Sequence, residues 1–265
     1  MLKQRVLTAL AIGPTSLVLI FFLGGGWFAA FVGLLVTACA WEWSNLAGAQ
    51  SVMEKALFTV ILVALMALGW STGIAQHTWP LWFGLIGWLL CLYWVIRYPR
   101  DTEQWGGRIM RYVMGLWVLL PCWVGLVLMR ESPIWLFYVL FVVWGADIAA
   151  YFSGRAFGNR RLAPRVSPGK SWAGVYGALA GTLVLSLIMA LWQGFDVANT
   201  LGLMLVSAIV TGASVVGDLN ESMLKRYRGI KDSGNLLPGH GGLLDRVDSI
   251  TAAVPIFALL APWIG

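Results

Sequence analysis

Residues 111–130 read RYVMGLWVLLPCWVGLVLMR, eighteen uncharged residues held between two arginines. As a helix those residues would rise about 27 Å, at roughly 1.5 Å per residue, and a bilayer's hydrocarbon core is about 30 Å thick. The same pattern recurs outward in both directions. Apolar runs of similar length lie at 6–24, 26–41, 56–75, 80–96, 133–152, 172–192, 198–217 and 247–264, so about nine transmembrane helices are expected in all. In lipid no water satisfies the backbone, which makes each span helical. The fold class is therefore an all-α polytopic integral membrane protein.

Composition agrees. Of 265 residues 59% are hydrophobic and only 11% are charged, against roughly a quarter charged in soluble domains. Sixteen tryptophans are many for this length, and they collect at span ends, as in WEW (41–43), TWPLW (78–82) and the final PWIG. That suits an interfacial aromatic belt. Cys39, Cys91 and Cys122 fall in three different spans with no disulfide or metal spacing, so they read as small packing residues. Two histidines, His77 and His240, are too separated for a zinc site. The N-terminal run has early cations like a signal peptide, but it lacks a cleavage site and is read as a retained first helix.

Lysine and arginine set the orientation. With the N-terminus in the cytoplasm and nine spans, seventeen of the eighteen cations lie inside, and only Arg130 lies outside. The C-terminus is then expected outside. The cationic loops are 97–111, 153–171 and 218–246, and attraction to anionic headgroups accounts for the first of them. The other two interleave cations with acids, glycines and hydroxyls. No loop is long enough to fold as a separate nucleotide-binding domain, so an active site has to be built from helix ends. We divide the chain into N-terminal scaffold helices, 1–110, with contacts between copies as one role, and a C-terminal catalytic membrane domain, 111–265.

On a helix leaving the membrane near 217, Ser214, Asp218, Glu221 and Lys225 share one face. Asp245 and Asp248 share a face at the start of the last helix, and the DSGNLLPGHGG stretch between them can fold back. Two readings stand on spacing alone. Either the carboxylates hold a hard cation among phosphate-binding lysines and arginines, or Asp245 is a helix cap and the others are ordinary ion pairs. Asp147, inside the sixth span, is costly in lipid; it is either functional or a packing partner of a neighbouring helix. The SPGKS at 167–171 is not a P-loop, since Pro164 stands where the first glycine belongs and no strand precedes it. It leaves Lys170 and Ser171 at a helix start suited to anions.

One longer pattern is more specific. Ser222-x-Leu224-Lys225-Arg226, Lys231-Asp232-x-Gly234, Pro238-x-His240-Gly241-Gly242 and Asp245-Arg246-x-Asp248 run in order through twenty-seven residues. Together with SPGKSW and the G-x-D-x-x-A-Y-x-x-G run at 145–154, they resemble the phosphatidate cytidylyltransferases, or CDP-diacylglycerol synthases. Members of that family often carry a second lysine and an acid in the SPGKSW region, where this chain has Gly169 and Ala173.

The resemblance implies a reaction in which CTP and phosphatidic acid give CDP-diacylglycerol and pyrophosphate at the cytoplasmic face of the inner (cytoplasmic) membrane. It implies Asp218, Lys225, Asp245 and Asp248 as catalytic residues. The three aspartates would hold one or two cations, magnesium with a second that is divalent or monovalent. Lys170, Ser171, Ser222, Arg226, Lys231, Asp232, His240, Gly241, Gly242 and Arg246 would contact substrate, while Asp147, Ser214 and Glu221 are secondary candidates. His240 either donates to a phosphate or shapes the turn. The expected partners are the two substrates, the bilayer and a second copy of the chain, with no nucleic acid. A CTP-dependent membrane lipid kinase would share these features. An anion transporter would place its polar residues nearer the bilayer midplane.

Overall fold

The structure is a computed structural model that describes residues 22–237, 239 and 241–264. Its helices are α1 (Gly25–Ala47), α2 (Val52–Ser71), α3 (Trp79–Arg97), the short α4 (Thr102–Trp105), α5 (Arg108–Met129), α6 (Pro133–Phe157), α7 (Trp172–Gln193), α8 (Val197–Arg228) and α9 (Leu244–Leu260). Among the described residues seven helices are long and apolar enough to cross a membrane, namely α1 to α3 and α5 to α8. Eight of the expected spans thus coincide with helices; the other, 6–24, lies outside the described residues apart from its last three. The eighth of these helices, α9, has only 17 residues and is largely buried. It packs against α8, α5, α3 and α6 at the centre of the bundle.

Local chemistry sets the helix ends. Ser51, Ser171 and Asp196 accept N–H bonds from Glu54, Gly174 and Asn199 and so cap α2, α7 and α8. Gly229, at φ 65°, ends α8 in a left-handed turn behind Lys225, Arg226 and Arg228, whose charges suit that end of the helix dipole. The α8 helix continues past the lipid limit expected at 217, as the shared face of Asp218, Glu221 and Lys225 requires. Its 32 residues give a length of about 48 Å, so its last turns exceed a core of about 30 Å.

Small residues bring α6 and α7 together. A Cβ on Gly181 would lie 2.9 Å from Ala149 Cβ, and one on Gly174 would lie 3.2 Å from Ala150 O. Such close approach replaces the hydrophobic driving force that lipid does not supply. The tryptophans divide. Trp79, Trp82 and Trp263 are exposed at helix ends, as an aromatic belt requires, but Trp43 is buried and donates to Arg111 O at 2.8 Å. The three cysteines are free and buried.

The loops rich in Lys and Arg gather at one end of the bundle. Tyr227 donates to Gly106 O (3.2 Å), Arg228 to Asn45 O (3.3 Å) and Arg226 to Val166 O (3.2 Å). Within the 153–171 loop an antiparallel hairpin, β1 (Arg161–Ala163) and β2 (Ser167–Ser171), adds a small sheet to the helical fold. It delivers Lys170 and Ser171 to the start of α7.

Candidate active site

The last turns of α8, the start of α9 and the hairpin meet at this end. Spacing of three and four residues along α8 places Asp218, Glu221 and Lys225 in register, but they take different partners. Asp218 faces the hairpin, where Lys170 Nζ lies 2.7 Å from its Oδ2 and Ser222 donates to its Oδ1 at 3.2 Å. Lys225 faces α9, with its Nζ 2.7 Å from Asp245 Oδ1 and 3.2 Å from Glu221 Oε1. Glu221 is buried at 2% exposure.

The Asp245 carboxylate is held on its other oxygen by the Ser233 N–H (2.9 Å), the Ser233 hydroxyl (3.0 Å) and the Gly242 N–H (2.9 Å). Burial alone would push its pKa up, but Lys225 and the other hydrogen-bond donors outweigh burial and hold it at about 2. Asp245 therefore stays ionised at neutral pH. Asp248 follows one turn later, where α8 and α9 come closest. A Cβ on Gly217 would sit 2.5 Å from Asp248 O, so the backbone of α9 at Asp248 lies against α8 one residue before Asp218.

A cavity of about 430 Å³ opens beside the Lys170–Asp218 pair and is lined also by Asp147, Arg155, Arg161 and Ser214. Cations and acids thus share one wall. The Ser171 hydroxyl caps α7, and the Ser214 hydroxyl donates to Thr211 O, so both are engaged within the protein. Lys231, Asp232 and Arg246 are at the exposed rim of the loop. Gly241 has φ 83°, a conformation favoured by glycine, and its missing Cβ would contact Asp232 and Asp245. Gly242 turns inward. His240 and Pro238 lie outside the described residues.

All-oxygen donors suit a hard cation such as magnesium. Among the described residues, however, no three acids, cysteines or histidines form a metal cage. Lysines take the facing oxygens of Asp218 and Asp245 and neutralise them. The donors fit magnesium in kind, and a bound cation would have to replace lysine charge.

Sequence reasoning missed Glu42 and Ser233. Glu42 lies on α1, is 1% exposed and reaches the 231–243 loop. The signal was present, an acid between two tryptophans at the edge of an apolar run, but WEW was assigned to the aromatic belt.

The cytidylyltransferase family model matches residues 3–263. A phosphatidate cytidylyltransferase of Pseudomonas aeruginosa is 50% identical over 98% of this chain and 97% of its own length. One from Haemophilus influenzae is 37% identical over 97% and 98%, and one from Brucella suis 34% identical over 97% and 92%.

Proposed function

The chain belongs to the cytidylyltransferase family, and from that premise we propose that the cluster at the loop end of the bundle is its active site. The reaction moves the CMP moiety of CTP onto phosphatidic acid, giving CDP-diacylglycerol and pyrophosphate for phospholipid synthesis. A match along nearly the whole length of phosphatidate cytidylyltransferases carries this reading.

Both substrates are anionic, one soluble and one anchored in lipid, so they have to meet where a membrane helix bundle ends in cations. A phosphate oxygen of phosphatidic acid attacks the α-phosphorus of CTP. A new P–O bond forms as the bond to the β-phosphate bridging oxygen breaks, and pyrophosphate leaves with that electron pair. Such a step needs alignment and neutralisation of phosphoryl oxygens more than a protein nucleophile. Lys170 stands on the wall of the open cavity and reaches phosphate oxygens once it leaves Asp218. Lys225 is fixed by Asp245 and Glu221 and supplies positive potential from a set place. Arg226, Lys231 and Arg246 are further donors, with arginine offering a planar fork. Asp218, Asp245 and Asp248 would hold magnesium, alone or with a second cation. The ion would supply charge neutralisation at the phosphates.

The same reading places the chain in the inner membrane as a homodimer, with the loop end in the cytoplasm. The orientation is supported by the bias of seventeen of eighteen Lys and Arg to one side. The test is detergent-solubilised protein given cytidine-labelled CTP and phosphatidic acid. A lipid-soluble cytidine product that needs both substrates is expected. Soluble CDP with no cytidine in the lipid phase would replace the reading with that of a lipid kinase.

A further inference from the structure

Helix α9 begins at Leu244 with no side-chain cap of its own, since its N-cap residue is Leu243. The first N–H groups of any helix lack partners within it. Here the Leu244 N–H donates to Glu42 Oε2 at 2.8 Å, across 202 residues of chain. The Leu236 N–H donates to Glu42 Oε1 at 3.4 Å, and the Ser233 hydroxyl lies 3.4 Å from Oε2. One turn further along α1, the Asn45 amide donates to Ser233 O at 2.6 Å. Residues 233, 236 and 244 are thus held against the end of α1.

The glycines of the loop fit the same contact. A Cβ on Gly234 would come within 2.6 Å of Glu42 Cδ, and one on Gly242 within 2.8 Å. Their bare backbones let the loop close over the carboxylate. A carboxylate in so buried a place is costly unless it is well bonded, and the donors that meet it are two backbone N–H groups and a hydroxyl. The Leu244 N–H stands at the start of α9, where the helix dipole favours negative charge. Ser233 connects this contact to the chemistry. Its hydroxyl lies 3.0 Å from Asp245 Oδ2, between the two carboxylates, and its single proton serves one of them at a time.

We propose that Glu42 is a positioning residue that caps α9 from α1 and so fixes where Asp245 and Asp248 enter the active site. The inference rests on the reaction assigned above and extends it, because it gives α1 a part in that reaction. Glu42→Gln keeps the size of the side chain but removes its charge and presents an NH₂ to at least one donor, so the cap is weakened without a cavity. Ser233→Ala cuts the link from the other side.

The test compares wild type, Glu42→Gln, Ser233→Ala and the double variant, as full-length protein in detergent. Turnover per folded molecule, KM for each substrate and amide hydrogen exchange are measured. In Glu42→Gln we expect kcat to fall by at least about tenfold, as misplacement of reacting groups does, with KM for phosphatidic acid unchanged. Exchange should rise at Leu236 and Leu244 and stay as in wild type in α6 and α7. The double variant should be no slower than Glu42→Gln alone, because residues in one network are not additive.

Wild-type turnover per folded molecule in Glu42→Gln would overturn the proposal, as would losses that simply multiply in the double variant. If Glu42→Gln does not fold, wild-type kcat in Ser233→Ala overturns it. If wild type makes no lipid-soluble cytidine, the assigned reaction fails. Exchange at Leu236 and Leu244 then decides separately whether Glu42 holds the loop, and exchange unchanged from wild type overturns that as well.

Discussion

Two lysine–aspartate pairs lie along one helix at the same distance, 2.7 Å, in different surroundings. In the Lys170–Asp218 pair the side chains are 25% and 29% exposed, and they border a cavity. In the Lys225–Asp245 pair they are 15% and 8% exposed, and Glu221, Ser233 and Gly242 complete the bonding. Distance alone does not separate a site that exchanges partners from one that holds its shape. The first pair is the more accessible of the two, and in the proposed reaction it gives up its lysine to a phosphate at a smaller cost than a buried pair would, since fully exposed pairs contribute only about 0–1 kcal/mol. Breaking the second leaves buried charge, for which the cost is about 3–5 kcal/mol.

Asp245→Asn should break the comparison most visibly. Turnover is expected to vanish, and a denaturant titration in detergent should show a stability loss of about 3 kcal/mol or more. Asp218→Asn should lower kcat/KM by about a thousandfold while leaving stability within about 1 kcal/mol of wild type. Equal stability losses in the two variants would mean that the pairs do not differ as described. Lys170→Ala is expected to cost about a hundredfold in kcat/KM, roughly 2.7 kcal/mol, with an unchanged melting curve, and Lys170→Arg should recover only part of it. The smallest effect belongs to Ser222→Ala, which removes one hydrogen bond to Asp218. It should cost about 0.5–1.5 kcal/mol, read as a several-fold fall in kcat/KM.

The same contrast governs how far the sequence could be read. The helices were legible because lipid imposes length and apolarity on each span, and 112–129 or 172–192 leave little choice of structure. Asp245 and Asp248 stand out because they close a long pattern that begins at Ser222, and Asp218 stands out because it shares a helix face with Glu221 and Lys225. Glu42 does not. Hydropathy ends its span at Trp41, and nothing local reveals that the next residue reaches a backbone N–H at 244. The missing side chain of Gly242 leaves room for Glu42, a contact 200 residues away in sequence that no local pattern reveals. The hairpin at 161–171 was missed because β1 has three residues and no alternating apolar pattern. The end of α8 lies close to where the residue offsets place it, since the shared face of Ser214, Asp218, Glu221 and Lys225 carries the helix past the lipid limit at 217 and Gly229 stops it.

In the proposed reaction CMP, and not the terminal phosphate, is transferred at the Asp218 cavity. This transfer is tested most directly by giving wild type and Asp218→Asn CTP labelled at either the α- or the γ-phosphorus, with phosphatidic acid. For wild type, α-label is expected in the lipid phase and γ-label in pyrophosphate, both lost together in Asp218→Asn with stability within about 1 kcal/mol of wild type. Appearance of γ-label in the lipid, or wild-type turnover by Asp218→Asn, would contradict it.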